Sequence, residues 1–199
     1  MKALFILLLL PQLVFAGYVD LSANFWQNRQ LYGATNTSSN LSQTYSVGWA
    51  WFMWPTTALE IMGQRQRSLI TENDPVGLGG SDVVVSSRNE VLTDTLSLGL
   101  KQNLASPQSS IVPALTFGYA KQILQGKTRY VVNDGTTTNS FVLEDDSNNQ
   151  DSCFVGASLR FKITQFFGIM SSFRSIMPKC DTKKMSDNTQ LTAGISWIF

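Results

Sequence analysis

The feature that most constrains this chain is alternation. Tyr45, Val47, Trp49, Trp51 and Met53 share one parity, while Thr44, Ser46, Gly48, Ala50 and Phe52 fill the other. Period two places successive side chains on opposite faces of an extended strand, so each such segment is a strand with one apolar face. The same pattern recurs along the chain. Val19, Leu21, Ala23 and Phe25 oppose Asp20, Ser22, Asn24 and Trp26; Leu59, Ile61 and Gly63 oppose Glu60, Met62 and Gln64. Leu92, Leu96, Leu98 and Leu100 oppose Thr93, Thr95, Ser97, Gly99 and Lys101, and Ile111 to Tyr119 alternate with Val112 to Ala120. Pro113 falls near the start of its run, where a missing ladder donor is tolerated. Further runs begin at Cys153, Phe167 and Leu191, which makes eight strands.

The connections alternate too. Those around Pro55, Pro107 and Gln165 are short, whereas the others are long and polar, the longest from Ile123 to Ser152. No apolar run approaches the ~20 residues of a helical membrane span. Alternating segments of about ten residues, with short turns on one rim and long loops on the other, are the pattern of an outer-membrane barrel. The predicted fold is therefore all-β, an eight-stranded antiparallel up-and-down transmembrane β-barrel with short periplasmic turns, longer external loops and both termini periplasmic. A soluble eight-stranded barrel would turn its apolar face inward. Here the apolar faces are rimmed by Tyr45, Trp49, Trp51, Trp54, Phe117, Tyr119, Trp197 and Phe199, and the opposite faces carry glycine, serine and isolated charges, which favours lipid outside.

Met1 to Ala16 reads as a secretory signal peptide: Lys2, an apolar stretch from Ala3 to Leu10, and Val14 and Ala16 before a cut at Gly17. The barrel then occupies 17–199, in the outer membrane of a Gram-negative bacterium. With 15 basic and 14 acidic residues and no basic run longer than Lys183-Lys184, no footprint exists for a nucleic acid. The chain has no histidine. That removes imidazole-based nucleophile pairs, imidazole metal sites and the usual near-neutral acid and base, so no catalytic residues, cofactor or metal site are assigned.

These strands resemble the small eight-stranded outer-membrane barrels typified by the OmpA transmembrane domain and OmpX. The resemblance covers the whole barrel in architecture and rests on pattern. Its most specific element is Leu191-x-Ala193-x-Ile195-x-Trp197-x-Phe199, which looks like the carboxy-terminal signal read by the barrel assembly machinery; Ile195, Trp197 and Phe199 would carry it. The resemblance also implies an ion-pair plug in the lumen.

Parity and strand direction sort the charges. Asp20, Glu60, Lys101, Arg160 and Lys162 face inward in the periplasmic half, where burial demands pairing. Arg174 is expected higher, toward the outer mouth, and Arg65 and Arg67 point outward, placed to snorkel toward lipid phosphates. Small inward residues among larger ones (Gly48, Ala50, Phe52, Gly118, Phe154, Gly156 and Met170) permit an upper lumen cavity for an acyl chain, or else ease packing across the barrel.

Cys153 and Cys180 both fall on the external side, where an oxidising compartment favours a disulfide. Glu144-Asp145-Asp146 lacks a calcium-loop spacing and reads as a solvated loop. Tyr130 to Gly135 and Asn139 to Leu143 form a hairpin through Asp134-Gly135, so strands five and six extend above the membrane. The expected function is non-enzymatic: a monomeric barrel with a largely plugged lumen, embedded in outer-membrane lipids and acting in envelope structure or surface interaction through its loops. The alternative is lumenal binding or transport of a lipid or other slender apolar ligand.

Overall fold

A computed structural model describes residues 17–32, 38–79, 82–106, 108–184 and 188–199; the predicted signal peptide lies outside them. Among the described residues ten strands form: β1 (Val19–Tyr32), β2 (Ser38–Phe52), β3 (Thr57–Glu72), β4 (Val76–Gly79), β5 (Asp82–Asn103), β6 (Ile111–Asn133), β7 (Thr138–Glu144), β8 (Asn148–Lys162), β9 (Phe167–Pro178) and β10 (Thr189–Ile198). Eight of them close a barrel in the order β1-β2-β3-β5-β6-β8-β9-β10, because β10 pairs back onto β1 from Asp20↔Ile198 to Phe25↔Ala193. Every pairing is antiparallel. Closure leaves no edge in the wall itself.

The eight predicted runs all fall on these strands, with Met53 and Phe199 one residue past the ends of β2 and β10. Asp20, Ser22 and Asn24 are buried in the lumen while Leu21 and Phe25 are exposed outside, and Val47 at 67% and Leu96 at 64% exposure show how fully the apolar face is turned outward. The turns at 53–56 and 163–166 and the connection from β5 to β6 make one rim, where β1 also begins and β10 ends.

The strands are longer than alternation alone indicates. β5 begins at Asp82 rather than Leu92, and β6 runs on to Asn133. The long connections are thus partly strand. β4 pairs with the upper end of β5, and β7 pairs with the upper end of β6 from Asn133↔Thr138 to Lys127↔Glu144. The predicted hairpin forms, with Gly135 in the left-handed region at φ 88°, as a tight return requires. Together β4, β5, β6 and β7 make a sheet raised above the barrel wall.

Cys153 and Cys180 form a disulfide. It ties the outer part of β8 to the turn that follows β9. In that turn Lys179 and Cys180 both adopt positive φ, 53° and 57°, while the Lys179 amide donates to the Asp151 carbonyl at 2.9 Å.

Candidate functional site: the lumen and the raised sheet

From the short-turn rim upward, the lumen is filled in layers. Tyr18 stacks on Phe52 with ring centroids 4.0 Å apart, and its hydroxyl accepts from Asn103 Nδ2 at 3.2 Å. Ala50, Phe52 and Ala58 form a small apolar cluster there. Above lies a chain of ion pairs. Asp20 Oδ2 accepts from Arg160 Nη1 at 3.0 Å and from Lys101 Nζ at 3.1 Å. Lys101 Nζ stands 3.8 Å from Glu60 Oε2, and Arg174 Nη2 donates to Glu60 Oε1 at 2.7 Å. Asp20, Glu60, Lys101 and Arg160 are all at most 6% exposed. Such groups tolerate burial only when their charges are matched by partners.

Four of the five charges expected together are brought together. The fifth, Lys162, is half-buried in the last register pair of β8, opposite Gly168. Arg174 joins these four. Its Cα belongs higher on β9, as strand direction predicts, but its side chain reaches down across the lumen, lies 4.3 Å over the Phe154 ring and donates through Nη1 to Ser97 Oγ at 3.0 Å. The length of the arginine side chain overrides the height of its backbone.

Higher still, an amide bridge crosses the lumen that the sequence did not announce. Gln64 Nε2 donates to Gln190 Oε1 at 2.7 Å, and Gln190 Nε2 donates to Gln66 Oε1 at 2.7 Å. Between this bridge and the charges lies a cavity of about 30 Å³, lined by Glu60, Met62, Gln64, Lys101, Arg174 and Gln190 among others. That is room for one or two waters, not for an acyl chain.

The residues expected to line an upper cavity are dispersed. Ala50 and Phe52 belong to the layer at the short-turn rim. A Cβ on Gly48 would meet Met62 Cε at 3.3 Å, one on Gly156 would meet Thr116 Oγ1 at 2.8 Å, and one on Gly118 would run into the Leu98 carbonyl oxygen and the Phe154 ring. Phe154 packs with Ala120 and Ile176. Only Met170 of that set lines the cavity that exists. These glycines lie against side chains and carbonyls of the adjacent strands. Trp26, on the inward parity, is 38% exposed.

Outside, Arg65 is not free to snorkel. Its Nε and Nη2 donate to the two oxygens of Asp94 at 2.7 and 2.8 Å, and Arg67 Nε donates to Glu90 at 2.7 Å. Asp94 faces Arg65 directly across the β3–β5 ladder. Its outward parity, shared with Leu96, was the available signal.

The raised sheet differs from the wall below. On β6, Phe117 and Tyr119 on the outer face give way to Lys127 and Arg129, while Thr116 and Gly118 on the inner face give way to Tyr130 and Val132. Polarity inverts along a single strand. Tyr130 faces Phe141 of β7, and all seven residues of β7 are exposed, Phe141 at 55% and Leu143 at 60%. No other strand pairs with β7 among the described residues. At the tip, Asp134 accepts from the Thr136 and Thr137 amides at 2.8 and 2.6 Å, which holds its carboxyl well below the usual carboxylate range.

A closed wall of eight tilted antiparallel strands, with an apolar exterior and a polar, hydrogen-bonded interior, decides the architecture. The fold is that of the small outer-membrane β-barrels. It is similar to OprG of Pseudomonas aeruginosa, at a TM-score of 0.55 and 8% identity over 92% of this chain and 96% of that one. Weaker likenesses join it to the N-terminal barrel of Pseudomonas aeruginosa OprF (TM-score 0.49, 11% identity, 92% and 97% covered) and to Ail, the attachment invasion locus protein of Yersinia pestis (TM-score 0.46, 11% identity, 93% and 100% covered). No family model and no curated protein matches the sequence. At such identities the likeness extends to the barrel fold alone.

Proposed function

We propose that this barrel is a non-enzymatic outer-membrane protein with a closed lumen, which meets the outside through its raised sheet. Exported by the Met1–Ala16 leader and assembled through the Ile195, Trp197 and Phe199 signal, it sits as a monomer among outer-membrane lipids with the short turns and both termini periplasmic. The ion-pair chain and the Gln64–Gln190–Gln66 bridge stiffen the barrel and close it to solutes.

The observation that carries the reading is β7. A seven-residue strand exposed along its whole length, with Phe141 and Leu143 in solvent, serves no packing purpose within the barrel. Exposed edge strands are ordinarily shortened, charged or covered, so one left open with apolar side chains is a surface for a partner. The lumenal-ligand reading finds support only from a cavity of about 30 Å³, too small for an acyl chain.

An epitope inserted between Gly135 and Thr136 tests the placement. Antibody labelling of intact cells is expected, at the level seen after permeabilisation. Labelling only after permeabilisation would overturn it.

A further inference from the structure

The outer face of the raised sheet carries a row of alternating charge. Leu69, Glu90, Lys127 and Glu144 are direct register neighbours across β3, β5, β6 and β7. Arg67 reaches Glu90 at 2.7 Å, and Lys127 reaches Glu144 at 2.5 Å. Read across the sheet, the signs run plus, minus, plus, minus, and the row stops on Glu144 at the open edge of β7. The pairing holds the Glu144 carboxyl below its ordinary range, so the edge presents a carboxylate. On the inner face of the same strand Phe141 and Leu143 continue the apolar surface begun by Tyr130.

We infer that the open edge of β7 takes up an extended segment of a partner protein as an added antiparallel strand, with a lysine or arginine of that segment opposite Glu144 and apolar residues opposite Leu143 and Phe141. The inference rests on the surface-interaction reading above and names its partner class. Main-chain hydrogen bonds along an edge supply affinity, and alternate side chains supply selectivity. Opposite charges directly across a ladder are favourable and like charges are not, so a cation is the next rung of the row. The antiparallel sense follows every other pair in this sheet.

The probe is a labelled peptide, Gly-Ser-Lys-Val-Thr-Val-Thr-Val-Gly-Ser, added to the folded protein in lipid nanodiscs and compared with the same peptide bearing glutamate in place of lysine. The lysine peptide is expected to bind about fivefold tighter or better, to lose binding when N-methylated at alternate residues, and to slow amide exchange at 138–144. Glu144→Lys should reverse the preference. Equal binding of the two peptides, absence of binding, or protection away from β7 overturns the inference. Protection of 138–144 that grows with protein concentration without peptide overturns it in favour of a second copy. The epitope experiment separates the two failures, because surface labelling at 135–136 with no peptide binding sinks this inference alone.

Discussion

Arg174 and Glu60 meet at 2.7 Å although β9 and β3 stand diametrically opposite in the eight-stranded wall, with three strands between them on either side. The pair therefore spans the lumen and ties opposite walls together. Asp20 does the same toward Lys101 on β5 and Arg160 on β8, each three strands away. Residues so far apart in sequence meet only once the barrel has closed.

Arg174→Ala leaves Glu60 buried with only the longer Lys101 contact. Breaking a buried pair from one side costs about 3–5 kcal/mol. A double-mutant cycle with Glu60→Ala should return a coupling of roughly 0.5–3 kcal/mol, read from urea-dependent folding into lipid vesicles. Strictly additive losses would show that the pair does not act as a unit.

Gln190→Leu removes both bonds of the amide bridge at once, leaving Gln64 and Gln66 without their cross-lumen partner. The expected loss is about 1–3 kcal/mol, the cost of leaving buried polar groups unmatched. Replacing all three glutamines with leucine should cost less than the single change, and the same folding assay measures both.

The Cys153–Cys180 bond closes a separation of 27 residues. Chain entropy assigns a loop of that length about 3.5 kcal/mol. The double variant Cys153→Ser, Cys180→Ser should lose about that much and should exchange amides faster in the 179–184 turn than in β8. An unchanged folding midpoint would mean the bond constrains only the turn.

Asp134 titrates below the ordinary 3.8 because backbone and hydroxyl donors of Thr136 and Thr137 hold its carboxylate. A lowered folded pKa gives stability that is present above the unfolded value and lost as pH falls through the folded one. The β6–β7 tip should therefore stay ordered at mildly acidic pH and loosen only in stronger acid. Carboxyl carbon shifts against pH test this, and a midpoint at the ordinary value would contradict it.

How much of this was legible follows from where solvent and lipid act. Inside the predicted membrane band, one face meets lipid and the other the lumen, so alternation at 44–53 or 111–120 is strict and gives strand, parity and pairing order. Above it both faces meet water. Val83 to Glu90 carry no strict alternation, so β4 and the start of β5 went unread, whereas the reach of β6 to Asn133 was legible from the Asp134-Gly135 turn, whose chemistry is local.

The sequence by itself determined the eight-stranded wall and the face on which its alternating residues lie, because periodicity and turn residues act within a few positions of one another, and two cysteines on the same external side left a single pairing. Only the tertiary structure decided which residues meet: Arg174 on Glu60, Gln190 between Gln64 and Gln66, Asp94 against Arg65, and Phe154 against Gly118. Strand tilt and barrel closure set those heights, and a long side chain spans several of them, so parity names the face and leaves the partner to be fixed by the whole fold.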